Sequence, residues 1–332
     1  MKFSVGYQLF YDDEFIRKII EYKDGISEVY FSFGDFPNGR NSQHLRADMS
    51  KEEAQEKQIS DLALLADENI PLNILFNATC YGKDSLSKDF FQKVGDTVDY
   101  FVSDFTLKTV TTTSPVIAKF IKDNFDALEV RASVNMGIGS EFAAQYVSNY
   151  FDSFYLKREL NINLNEIRKM RRWCDENGKT LYLLANSGCL NDCSLHTFHD
   201  NLVSHEAEIL KTERAFNFYG ACRDFISNPG NLNKIFDCTN FIRPEDVHLY
   251  EGLVSGMKLA TRVNANPVRV LLAYLKHRKH VGSVFDLCEP NHTSILSPFI
   301  IENSRIESDF SNDILKYKNP KGAIINVNER ND

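Results

Sequence analysis

The chain has 332 residues, 43% of them hydrophobic and 25% charged, with a net charge of -8. A chain of this length buries a large core without disulfide staples, and its acidic balance argues against a protein that grips nucleic acid by bulk charge alone. No apolar run reaches the roughly 18 residues a membrane helix needs, so no membrane contact is expected.

The N-terminus, MKFSVGYQLF, alternates like a strand. It lacks the apolar core and small-residue cleavage site of a secretion signal, which points to a cytoplasmic protein. In that reducing compartment the seven cysteines suggest metal or redox chemistry ahead of disulfides.

Lys2–Phe10 reads as the first strand. Asp12–Tyr22 follows as a helix, with Phe15, Ile16, Ile19 and Ile20 at helical spacing. Ser27–Gly34 is the second strand and the polar stretch Asp35–Ser50 a loop. Lys51–Asn69 is helical, with Ile59, Leu62, Leu64 and Leu65 on its apolar side. Pro71–Thr79 and Val98–Phe105 are the third and fourth strands. Ser114–Phe125 is a helix with Pro115 in its first turn, where proline is tolerated. Ala127–Met136 is the fifth strand, Glu141–Tyr146 a short helix and Phe151–Arg158 the sixth strand. Asn163 caps a helix that runs to Asn177 and stops at Gly178. Lys179–Ala185 is the seventh strand, Val254–Arg262 the eighth, and Pro267–His277 the helix after it.

Eight strands, each largely followed by a helix, imply an α/β fold: a (β/α)8 TIM-like barrel over residues 1–282. A long insertion, residues 186–250, separates strands seven and eight at the end of the barrel where such enzymes place their chemistry. Residues 283–332, with Pro290, Pro298 and Pro320, read as a C-terminal extension packing on the barrel.

The insertion opens with NSGCLNDCSLHTFHDNLVSHE. It gathers Cys189, Cys193, His196, His199, Asp200, His205 and Glu206, and Cys222 and Cys238 follow. Three readings of the four cysteines stand side by side. They hold a 4Fe–4S cluster, which takes four thiolates; or Cys189 and Cys193 hold zinc with two histidines; or all four are small buried hydrophobes. His196 and His199 are candidate acid–base groups with Asp200, or structural groups of the insertion. Cys174 reads as structural, Cys80 as a packed thiol near the catalytic face, and Cys288 has no assignment.

Asn77, Asp104, Arg131, Asn135, Arg158, Glu159, Lys258 and Arg262 stand at expected strand ends. A charge in a closed barrel is paired inside it or lies at its mouth. Arg131, Arg158, Lys258 and Arg262 therefore form either a cationic floor for a carboxylate or phosphate, or internal pairs with Glu129, Glu159 and Asp104. Asn77, Arg131, Lys258 and Arg262 are the candidate substrate contacts.

LKRELNINLNEI (Leu156–Ile167), KTLYLLANSGC (Lys179–Cys189) and SGMKLATRV (Ser255–Val263) resemble segments of the collagenase-like peptidase family of unassigned catalytic type. In that family a strand runs into a cysteine-bearing loop and another ends in K-I-E-G-R. The family includes named peptidases, and iron–sulfur proteins of oxygen-independent hydroxylation of ubiquinone precursors and of tRNA. The resemblance implies a barrel with a four-cysteine cluster, here Cys189, Cys193, Cys222 and Cys238. It also implies an anionic small-molecule, RNA or peptide substrate, and admits a protein partner subunit. A metal-dependent peptidase and a non-catalytic iron–sulfur subunit are the alternatives, although the chain has no HExxH helix and no G-x-S-x-G elbow.

Overall fold

The structure, a computed structural model, describes residues 1–40, 49–318 and 320–329. Part of the loop expected over residues 35–50 lies outside the described residues.

Eight parallel strands close into a barrel in chain order, the eighth pairing with the first. They are β1 (Phe3–Gly6), β2 (Ile26–Phe31), β3 (Leu72–Phe76), β4 (Leu107–Thr112), β5 (Glu129–Ala132), β6 (Ser153–Tyr155), β7 (Thr180–Leu184) and β8 (Gly256–Leu259). Helices α1 (Glu14–Glu21), α2 (Lys51–Asp67), α3 (Lys88–Asp104), α4 (Pro115–Asn124), α5 (Glu141–Gln145) and α6 (Leu164–Glu176) alternate with the first seven strands. The TIM-like barrel read from the sequence is present. Side-chain caps start most of these helices: Ser50 with Glu53 forms a capping box on α2, and Ser87, Ser114, Ser140 and Asn163 accept from backbone N–H groups of α3 to α6.

One strand differs from its expected position. Val98–Phe105 forms the last turns of α3, and the fourth strand is Leu107–Thr112. Over eight residues, VDYFVSDF satisfies both a strand and a helix pattern. The helical period shows only when Val94 joins Val98 and Phe101, the buried stripe of α3. Asp104 consequently ends a helix as an exposed residue, away from the barrel mouth.

The barrel interior is polar at its centre. Glu28 of β2 accepts from Ser4 Oγ (2.7 Å), Asn73 Nδ2 (2.7 Å) and Arg131 Nη1 (2.6 Å). Arg131 also donates to Glu129, Nε at 3.0 Å and Nη2 at 2.9 Å. Burial opposes the charge on Glu28, but Arg131 and the hydrogen bonds from Asn73 and Ser4 outweigh it and hold the carboxyl below its ordinary range. Residues two apart on a strand share a face. So above Glu28 comes Tyr30, and both Tyr30 and Tyr155 flank the Lys258 ammonium, at 3.8 and 5.3 Å from their ring centroids.

The insertion carries α7 (His196–Ser204), α8 (Glu206–Ile209) and α9 (Ala221–Ser227), then two 3-10 segments, Pro229–Asp237 and Pro244–Tyr250. After β8 comes α10 (Pro267–Leu275). The extension contributes α11 (Thr293–Leu296), the pair β9 (Phe299–Ile301) and β12 (Ile324–Asn326), and the hairpin β10 (Glu307–Ser311) with β11 (Ile314–Lys318). Leu190, Ile226, Leu232, Ile235 and Phe241 of the insertion share one apolar cluster with Val284, Phe285, Cys288, Leu296 and Ile301 of the extension. Among the described residues no helix is long and apolar enough to cross a membrane.

Candidate functional site

A pocket of about 100 Å³ opens at the C-terminal mouth of the barrel. Its barrel side is formed by Tyr30, Asn77, Asn135, Arg158, Lys258 and Arg262, with Arg40 from the loop after β2. Its other side comes from the insertion: Cys189, Cys193, His196, His199, Asp200 and Cys222. Glu289 and Pro290 of the extension complete the rim.

The arginines are held by defined partners. Arg40 Nη1 lies 3.5 Å from Glu289 Oε1, and Glu289 Oε2 accepts from Val263 N at 3.1 Å. Arg262 Nη1 donates to the Arg40 carbonyl in a short contact. Burial works against the charge on Arg40, yet Glu289, followed by Cys189 and Asp200, outweighs it and raises its pKa. Lys258 is the opposite case: burial, then repulsion from Arg262, pushes its amine down to about 7, against a pull upward from Glu28.

His196 and Asp200 lie one turn apart on α7, so they share a face. His196 Nε2 is 3.0 Å from Asp200 Oδ2 and 3.0 Å from Arg158 Nη2. One nitrogen cannot donate to the carboxylate and accept from the guanidinium at once. With the proton on Nε2 it serves Asp200; with the proton on Nδ1 it serves Arg158. Asp200 is held below the ordinary carboxylate range because hydrogen bonding to His196 and nearby positive charge overcome its burial. His199 is pushed down, first by burial and then by Arg40.

Of the four cysteines assigned as cluster ligands, Cys189, Cys193 and Cys222 share this pocket and Cys238 does not. Burial raises the Cys222 thiol, and the nearby Cys189 and Cys193 raise it further. Cys238 turns away: its thiol donates to the Ile235 and Lys234 carbonyls at 3.3 and 3.4 Å, packs on the apolar cluster of insertion and extension, and is pushed up to about 11 by burial and then Asp237. Among the described residues no three His, Cys, Asp or Glu side chains are arranged to hold a metal ion. Cys174 is buried in α6, where burial pushes its thiol up to about 12, and Cys288 is buried in the extension.

Two substrate contacts expected from the sequence line the pocket beside Asn77: Lys258 and Arg262. Arg131 does not, because Glu28 and Glu129 hold its guanidinium deeper in the barrel. Sequence reasoning missed Arg40 and Glu289. Arg40 had a signal in its position, since the loop after a barrel strand faces the mouth. Glu289 had none, because only docking of the extension brings it there. Gly188 shows how close that docking is: a Cβ at this position would stand 2.1 Å from the Pro290 carbonyl oxygen.

Fold and pocket together define a TIM-like barrel with a cation- and thiol-lined site at its C-terminal mouth. No family profile matches the chain. It is 24% identical over 216 residues to a protein of Methanocaldococcus jannaschii called "Uncharacterized protease MJ1657"; the match covers 63% of this chain and 61% of that protein. The chain thus spans under two thirds of that relative's length. In fold it is similar to the U32 peptidase Mk0906, at a TM-score of 0.55 and 16% identity, over 78% of this chain and 91% of that one. The chain resembles the collagenase-like, or U32, peptidase family.

Proposed function

We propose that the chain is an enzyme that holds the anionic group of its substrate at the barrel mouth and transforms the substrate against the thiol-bearing insertion. One observation carries this reading: Arg40, Arg158, Lys258 and Arg262 line a single pocket together with Cys189, Cys193, Cys222 and the His196–Asp200 pair. Arginine stays charged at any working pH and presents a fork matched to carboxylate or phosphate. His196, poised between a carboxylate and a guanidinium, is the proton carrier. The test is titration of the protein with acetate, citrate and phosphate at low ionic strength. Saturable binding that weakens roughly tenfold or more in Arg262→Gln supports the reading, a charge-assisted hydrogen bond contributing about 1.5–3 kcal/mol. Absence of saturable binding by all three anions overturns it.

A second reading, an iron–sulfur enzyme of oxygen-independent hydroxylation, is favoured by three thiols that line the pocket close to one another. As placed, the four cysteines do not fit a cluster held by four thiolates, because Cys238 is bonded back to its own turn. No step is routed through such a group. Iron and sulfide analysis of anaerobically purified protein tests it, with an absorption spectrum near roughly 400 nm. About four irons per chain, lost in Cys222→Ala and kept in Cys238→Ala, supports a cluster in this pocket; zinc in its place supports a tetrahedral site. Peptide hydrolysis is the alternative suggested by the names of the two similar proteins, and a peptide-library digest tests it.

A further inference from the structure

We infer that Lys258 is the nucleophile of the pocket, a lysine amine placed to condense with the carbonyl group of a substrate that also carries an anionic group. The substrate class is then an anionic aldehyde or keto acid. This inference rests on the anion-binding reading above and deepens it.

The first observation is Lys258's position. It is the next-to-last residue of β8, is only 6% exposed and lines the pocket, so its amine is reached through the cavity. The second is its choice of neighbours. A buried structural lysine is normally held by a carboxylate. Here, among the described residues, Lys258 Nζ has no carboxylate within salt-bridge distance, and its close neighbours are the faces of Tyr30 and Tyr155. The nearby acids are engaged elsewhere: Glu28 with Arg131, Asn73 and Ser4, and Glu289 with Arg40 and the Val263 N–H.

The third observation is a division of labour among the cations. Arg40, Arg158 and Arg262 line the same pocket, and a guanidinium is the side chain that keeps its charge at working pH. The groups that face Lys258 are Glu28 and Tyr30 from β2, Arg131 from β5, Tyr155 from β6, Arg262 beyond β8 and Glu289 from the extension. Burial and the arginines together bring its amine down to about 7. Near neutral pH a large share of Lys258 is therefore uncharged and nucleophilic, which is how buried lysines serve in imine chemistry. The arginines hold the anion, and the amine meets the carbonyl carbon.

The step balances without any oxidant or reductant. The amine lone pair forms a C–N bond as the carbonyl π pair moves to oxygen. That oxygen takes up the proton the nitrogen releases. The nitrogen's remaining proton passes to the resulting hydroxyl, which leaves as water as the nitrogen pair closes the C=N bond. Amine and carbonyl thus give imine and one water.

The experiment is reductive trapping in the full-length protein. Glyoxylate or pyruvate is added, sodium borohydride reduces any imine to a stable secondary amine, and peptide mass mapping locates it. The expected result is labelling of Lys258 at least tenfold faster than of exposed Lys119, which is 62% exposed. Labelling should rise as pH is raised through about 7, disappear in Lys258→Arg, and be slowed by acetate. The comparison with Lys119 within the wild-type protein holds even if Lys258→Arg fails to fold. Saturable acetate binding with no preferential label on Lys258 overturns the nucleophile and leaves the anion site standing. Preferential labelling by propanal as readily as by glyoxylate, untouched by acetate, supports the nucleophile and overturns the anion site. Absence of both overturns both.

Discussion

Glu289 and Arg40 meet at the rim of the barrel, 249 positions apart in the chain, with Oε1 and Nη1 separated by 3.5 Å. The same carboxylate accepts the Val263 N–H just past β8. One side chain of the extension therefore ties together the β2 loop and the end of β8, the two segments that supply Arg40 and Arg262.

Glu289→Gln keeps an acceptor for Val263 and removes the charge that balances Arg40. Anion affinity at the pocket should rise about three- to tenfold at low salt, and the gain should shrink as salt screens it. Glu289→Ala leaves the Val263 N–H without its acceptor and should cost about 1–3 kcal/mol of stability in urea unfolding. An unchanged affinity in the Gln variant would show that Glu289 does not govern the charge of the site.

Arg131→Leu should destabilise the barrel by about 3–5 kcal/mol, because it strands Glu28 as an unpaired charge in the interior. The Glu28 carboxyl is held below its ordinary pKa of 4.5. Its stabilising contribution is then complete above about pH 4.5 and drains away as pH falls through the lower folded value. The stability difference between wild type and Arg131→Leu should consequently be full above about pH 4.5 and shrink as pH falls through the lower folded value.

Asp200→Asn removes the carboxylate that competes with Arg158 for His196 Nε2. The imidazole should settle with its proton on Nδ1 and Nε2 accepting from Arg158. Long-range nitrogen–proton NMR of the His196 ring reads the tautomer directly. A ring that keeps its proton on Nε2 in the variant would remove His196 as the carrier.

Asn163→Ala deletes the side chain that accepts from Glu166 N at the start of α6. The expected cost is about 1 kcal/mol, and Asn163→Asp should restore it. Thermal or urea unfolding distinguishes the two variants.

Asn163 also marks what a sequence makes legible. Caps, glycine stops and helical periods are local, so α6 and most strands could be read where they stand. The fourth strand failed for the same local reason: LKTVTT carries few large apolar residues, while the end of α3 mimics a strand. Residues at a strand's end or just past it, such as Lys258 and Arg262, could be placed at the mouth because barrel topology fixes which end a strand presents. Arg131, on an inward position as expected, could not be assigned a depth, since its distance from the mouth depends on Glu28, a hundred residues away in the chain. Cysteine spacing likewise says nothing of direction. Cys222 and Cys238 look equivalent in sequence, and only the packing of the insertion against the extension turns one toward the pocket and the other away.

All eight strands have been laid down by Leu259, but the rim waits for Glu289 and Pro290. The mouth is therefore completed by residues that follow the last barrel strand in the chain, and the close seat of Pro290 over Gly188 makes the extension part of the pocket wall and not an appendage to it.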